Sequence, residues 1–123
     1  MIRRLSLIAV LACSTFTIAH AQRLSSMQAG RFGQICSRPA GKAVCDAYIA
    51  GVADAGALSR LNAKGEGDAD AVAGFCIPDS ETTDAMRNHV VSWLRAHKDV
   101  LNQPVGKSVF AALHDSYACG GGK

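Results

Sequence analysis

The sequence predicts an all-α fold, a small disulfide-stapled bundle of about four helices. Three observations carry this. Apolar residues recur at helical spacing in four separate runs, no stretch alternates apolar and polar over a useful length, and four cysteines remain once a leader is removed. A chain of this size buries one modest core, and cross-links supplement it.

The leader is legible at the N-terminus. A basic start, Met1-Ile2-Arg3-Arg4, precedes an apolar run from Leu5 to Ile18, and Ala19-His20-Ala21 offers small residues where a signal peptidase reads them. Residues 1–21 are expected to be a signal peptide and residues 22–123 a single domain, periplasmic or secreted. The apolar run, at about 14 residues, falls short of the ~20 needed to span a bilayer, and no later segment is long and apolar enough to try. An alternative takes Val10-Leu11-Ala12-Cys13 as a lipoprotein signal, with Cys13 lipidated. Arg3 and Arg4 leave with the leader, so 11 of the 13 basic side chains remain against 10 acidic ones. That balance suggests no nucleic-acid footprint, which needs Lys and Arg clustered on one face.

The helices follow in order. Leu24, Met27, Phe32, Ile35 and Cys36 keep helical spacing behind Ser25, with Gln28 placed to complete a capping box. Cys45, Tyr48, Ile49, Val52, Ala55 and Gly56 form a second stripe that fades at Asn62 and Gly65, residues tolerant of a left-handed helix stop. Residues 63–75, rich in glycine and acid, read as a long loop. A third helix has Thr82 as N-cap, Asp84 in its first turn, and a stripe of Met86, Val90, Trp93, Leu94 and His97. Asn102 and Pro104 mark the start of a fourth. Its Val105, Val109, Ala112, Leu113 and Ser116 make one face, and Phe110, Leu113 and Tyr117 an overlapping second one.

Cys36, Cys45, Cys76 and Cys119 make an even set, most simply two disulfides. A short connection sets Cys36 near Cys45, the long loop can run back along the second helix, and a hairpin of the last two helices returns Cys119 to Cys76. On this plan all four can meet at one end of the bundle. Three pairings are possible, and proximity within the hairpins favours Cys36 with Cys45 and Cys76 with Cys119.

This arrangement leaves little for catalysis. A cysteine nucleophile needs a free thiol of lowered pKa beside an imidazole, and pairing leaves none for His89, His97 or His114. His89 and His97 stand about 12 Å apart along a helix, too far to share a metal, and read as packed, hydrogen-bonded imidazoles. Glu66, Asp68 and Asp70 alternate as in a calcium loop but lack its other ligand positions, so a solvated acidic loop is the simpler reading. Asp54 reads either as a surface charge or as a buried partner. No cofactor is expected.

Four segments together resemble the type VI secretion amidase immunity family, the Tai and Rap proteins. They are CDAYIAGVADA from Cys45, FCIP from Phe75, VVSWLRAH from Val90 and AALHDSYAC from Ala111. The resemblance runs from about Cys36 to Cys119. Lys98 and Ala118 stand where that family often has proline, and Ala85 replaces a usual glutamine, departures that touch helix ends and capping. The resemblance implies a small helical periplasmic protein, often dimeric and not an enzyme, that binds and blocks a secreted peptidoglycan amidase. A helical structural or chaperone-like module with no amidase partner is the alternative.

On this reading the loops do the recognition. Asp99, Asn102 and Gln103, in the 98–103 turn, are expected to hydrogen-bond within an active-site groove. Glu66, Asp68 and Asp70 are expected to steer a basic surface of the partner. The extra apolar face of Phe110, Leu113 and Tyr117 is the expected homodimer interface, the alternative being that both faces of the last helix are buried within one monomer.

Overall fold

In the computed structural model, which describes residues 23–120, four helices pack around one core. They are α1 (Ala29–Cys36), α2 (Lys42–Gly65), α3 (Thr83–Ala96) and α4 (Val105–Ser116), with 3-10 turns at Pro39–Gly41 and Lys98–Val100. Each helix packs against the other three. Among the described residues there is no strand, only an isolated bridge between Gln28 and Pro104, and no helix long and apolar enough to cross a membrane. The expected leader, with Cys13, lies outside the described residues.

Helix α1 begins later than its spacing predicts. Ser25 Oγ accepts a 3.4 Å hydrogen bond from the Met27 N–H, and Gln28, expected inside the helix, is its extended N-cap without a side-chain cap. The first-turn N–H groups of Ala29 and Gly30 donate instead to the carbonyls of Gln103 and Leu101, at 3.0 and 2.9 Å, and Val105 N–H donates to Met27. Tertiary pairing with the turn before α4 thus satisfies first-turn donors of α1 that no side-chain cap takes. Leu24 is 56% exposed and belongs to no core face.

The link to α2 turns at Gly41. A Cβ there would fall against the Ile35 carbonyl, so the chain approaches α1 more closely than any side chain allows. Helix α2 is 24 residues long, yet only Cys45 and Ile49 are buried along it. Tyr48 packs on Phe32 with ring centroids 5.0 Å apart, while Leu58 and Leu61 in the far half are 63% and 65% exposed. The helix ends at Gly65 as expected, but the left-handed residue is Gly67, with φ +100°. The Glu66 and Asp68 N–H groups close the last turn on Asn62 and Ala63.

Helix α3 starts as its sequence predicts. Thr82 Oγ1 accepts from the Ala85 N–H at 3.1 Å, and Met86, Val90 and Leu94 are buried. The substituted Ala85 supplies only that backbone donor, so the cap is intact. Helix α4 buries Val105, Ser108, Val109, Ala112 and Leu113.

The segment after α2 does run back beside it. Ala71, Val72, Ala73 and Gly74 face Gly51, Ala55, Gly56 and Ser59 across an open groove. Phe75 is buried against Gly56, where an added Cβ would lie 2.6 Å from its ring, and meets Phe110 edge-on at 5.2 Å. Both favoured disulfides form, Cys36–Cys45 and Cys76–Cys119. They do not gather at one end, however. Cys45 is in the first turns of α2, whereas Cys76 lies along a groove with Ala53 and Ala57, two to three turns further on. Packing of Phe75 on Gly56 stops the return partway.

Candidate partner-binding surface

The 98–103 turn is held by backbone rather than by side chains. Besides the two bonds from α1, Gln103 N–H donates to the Val100 carbonyl at 2.9 Å, and Val100 N–H to His97 at 3.3 Å. Asp99, Asn102 and Gln103 are all exposed on this frame. Asp99 and Gln103 share a small hollow of about 200 Å³ with Trp93 and Lys107, and Lys107 Nζ reaches Gln103 Oε1 at 3.4 Å. Asn102 lies outside that hollow. The turn therefore offers a braced edge with carboxylate and amide groups presented to solvent.

Glu66, Asp68 and Asp70 are also exposed, beyond the end of α2. Asp68 and Asp70 border the groove between α2 and the returning segment, a depression of about 1010 Å³, while Glu66 does not. The acidic segment and the 98–103 turn form no common lining.

The Phe110, Leu113 and Tyr117 stripe divides. Leu113 is wholly buried and Tyr117 is 8% exposed, so both belong to the chain's own core and cannot face a second copy. Burial first, and the Glu81 carboxylate second, push the Tyr117 hydroxyl up to about 12. Only Phe110, 43% exposed, reaches the surface, where it borders the large groove together with Leu24 and Val72.

The imidazoles have distinct settings. His97 stacks on Trp93 at 3.9 Å, and its Nδ1 donates to the Trp93 carbonyl at 2.8 Å; a carbonyl only accepts, so Nδ1 carries the proton. His114 Nδ1 donates to the Gly74 carbonyl and ties α4 to the returning segment. His89, expected to be packed, is exposed and only touches Tyr117 edge-on at 5.3 Å. Among the described residues no group of three His, Cys, Asp or Glu side chains could hold a metal. Asp54 resolves as a surface charge.

A charge network joins α2 to α3. Arg87, mostly buried, bridges Asp46 and Asp84, and Lys42 meets Asp84 at 3.2 Å. The Lys42 hydrogen bond, then Arg87, hold the Asp84 carboxyl below its ordinary range. Asp46 stands 41 positions from Arg87 in the chain, and no local pattern in the sequence marks the pair. Sequence reasoning also missed a cationic groove between α1 and α3, lined by Arg38, Arg95 and Lys98. Arg38 lies far from Arg95 and Lys98 along the chain, which hides the groove.

The fold and these surfaces define a small, stapled helical scaffold that displays its polar groups on braced turns. Residues 28–119 match the family model of the Rap1a immunity proteins, and the chain belongs to that family. It is therefore an immunity-type protein and not an enzyme. No curated protein and no solved structure matches it.

Proposed function

We propose that this chain is a periplasmic immunity protein that binds and inhibits a peptidoglycan amidase delivered by type VI secretion. The observation that carries the reading is the family match over residues 28–119, which takes in all four helices. In this reading residues 1–21 are the signal peptide. The two disulfides support export to an oxidising compartment.

An inhibitor of a cleft enzyme fills the cleft without being cut. The 98–103 turn suits that task, because hydrogen bonds to α1 order it before binding and so lower the entropic cost of association. Asp99, Asn102 and Gln103 enter the groove, and the peripheral acids Glu66, Asp68 and Asp70 steer the approach of a basic surface. A standard interface of ~1,200 to 2,000 Å² accommodates both. The homodimer belongs to the same proposal, now centred on Phe110, Leu24 and Val72 rather than on Leu113 and Tyr117.

Co-purification of the mature protein with amidases encoded nearby tests the reading, followed by a peptidoglycan hydrolysis assay. Wild type abolishes hydrolysis, and alanine at Asp99, Asn102 and Gln103 together restores it. If that block and a matching block at Glu66, Asp68 and Asp70 both inhibit like wild type, the turn-plug mechanism is wrong. If no amidase is bound, the structural-module reading replaces this one. Sedimentation of wild type and Phe110→Asp tests the dimer, and a wild type monomeric at micromolar concentration refutes it.

A further inference from the structure

The groove between α1 and α3 adjoins the proposed plug but plays no part in the argument for it. Its floor is small and apolar: Gly30, Gly33, Val91, Leu94 and Leu101. Gly30 lies against Leu101 and Gly33 against Leu94, so α1 and α3 run antiparallel along it, and the two glycines leave the floor open. The depression measures about 670 Å³. Arg38 stands at one end, Lys98 at the other, and Arg95 between them, all three exposed.

The ordinary explanation of such cations is that they face helix C-termini, where the dipole favours positive charge. Each does follow or close a helix, so the dipole accounts for their presence at those positions. It does not account for their convergence on one groove without counter-ions. Among the described residues the ion pairs are those of Lys42 and Arg87, and none of the three groove cations takes part in one. Three positive charges therefore overhang an apolar trough. From Gly30 to its end at Cys36 α1 is about 9 Å long at 1.5 Å per residue, which matches roughly three residues of extended chain.

We infer that this groove receives an extended acidic segment of the protein partner, with carboxylates on Arg38, Arg95 and Lys98 and small apolar side chains on the floor. The inference rests on the proposed function for the identity of that partner, and it extends the contact beyond the 98–103 turn, since Lys98 and Leu101 belong to both. The partner surface beside its cleft is then acidic where it meets this groove. Arginine forks favour carboxylates there by paired hydrogen bonds as well as by charge.

The test uses the mature protein and a fluorescein-labelled peptide in which glutamate alternates with alanine, read by anisotropy at about 20 mM and about 300 mM salt. Wild type binds it saturably at low salt and more weakly at high salt, and a lysine-alanine peptide does not bind. Arg38→Glu/Arg95→Glu/Lys98→Glu weakens binding by about tenfold or more, whereas Arg31→Glu, an exposed cation outside the groove, leaves it unchanged. Circular dichroism confirms that the triple variant is folded, and single Arg95→Glu serves if it is not. A wild type that ignores the glutamate peptide, or an Arg95→Glu variant that binds it equally, overturns the inference. Amidase capture separates the two readings. An amidase held equally by wild type and Arg95→Glu overturns the groove and leaves the immunity function, whereas peptide binding by a protein that inhibits no amidase leaves the groove and removes the function.

Discussion

The Cys36–Cys45 bridge spans nine positions in the core between α1 and α2, whereas Cys76–Cys119 spans 43 between the returning segment and the tail beyond α4. Restraint of the unfolded chain alone ranks the second higher, at about 4 kcal/mol against about 2.7. Burial ranks them the other way. Cys45 is fully buried and Cys36 is 9% exposed, while Cys76 and Cys119 both lie at the surface. Loop length measures what a bridge denies the unfolded chain; burial measures how far the native packing depends on its sulfur atoms and whether a reductant can reach them.

The largest effect is expected where burial and bridging coincide. Cys36→Ala/Cys45→Ala loses the bridge and leaves unfilled core volume, and is expected to cost about 4 kcal/mol or more, lowering Tm by roughly 20 °C in a thermal melt. Cys76→Ala/Cys119→Ala is expected to cost less, at most about 4 kcal/mol, because both sulfur atoms lie at the surface and their loss removes the loop restraint without opening a core cavity. The reverse ranking would mean that loop length outweighs burial here. Gentle reduction sharpens the same contrast: alkylation followed by mass spectrometry should find Cys76 and Cys119 modified well before Cys36 and Cys45. Simultaneous opening would show that the two bridges share one cooperative unit.

Two glycines extend the comparison to smaller effects. Alanine at Gly41 meets the Ile35 backbone carbonyl, which cannot swing aside, and about 2 to 3 kcal/mol of destabilisation is expected. Alanine at Gly74 meets the tip of the Phe110 ring, which is 43% exposed and can rotate away, so the cost is expected to be about 1 kcal/mol or less. Equal losses in chemical denaturation would show that the surface segment is as tightly determined as the core turn. The smallest effect concerns Asp84, which joins the start of α3 to α2. Its carboxyl is held below the ordinary range by Lys42 and Arg87, so its contribution is present above the unfolded pKa and is lost as pH falls through the lower folded one. Asp84→Asn should therefore lower Tm slightly near neutrality and converge with wild type at acid pH, which flattens the acid limb of a Tm-against-pH curve.

The sequence by itself determined what depends on near neighbours in the chain. Helix α3 is the clearest case: Thr82, Asp84 and the Met86/Val90/Leu94 stripe are local signals, and the helix begins and buries as they say. The extent of α2 and the start of α4 at Pro104 were legible for the same reason, and the even cysteine set limited the pairings to three. Only the tertiary structure could decide what contacts across the chain control. The first turn of α1 has no side-chain cap, and Gln103 and Leu101 supply carbonyls to its donors instead. Leu113 and Tyr117 went to the core because the other three helices cover that side of α4, and a stripe at helical spacing does not say which neighbour will cover it. Arg38, Arg95 and Lys98 meet because α1 and α3 pack antiparallel, and a charge far along the chain becomes a neighbour only through the packing that places it there.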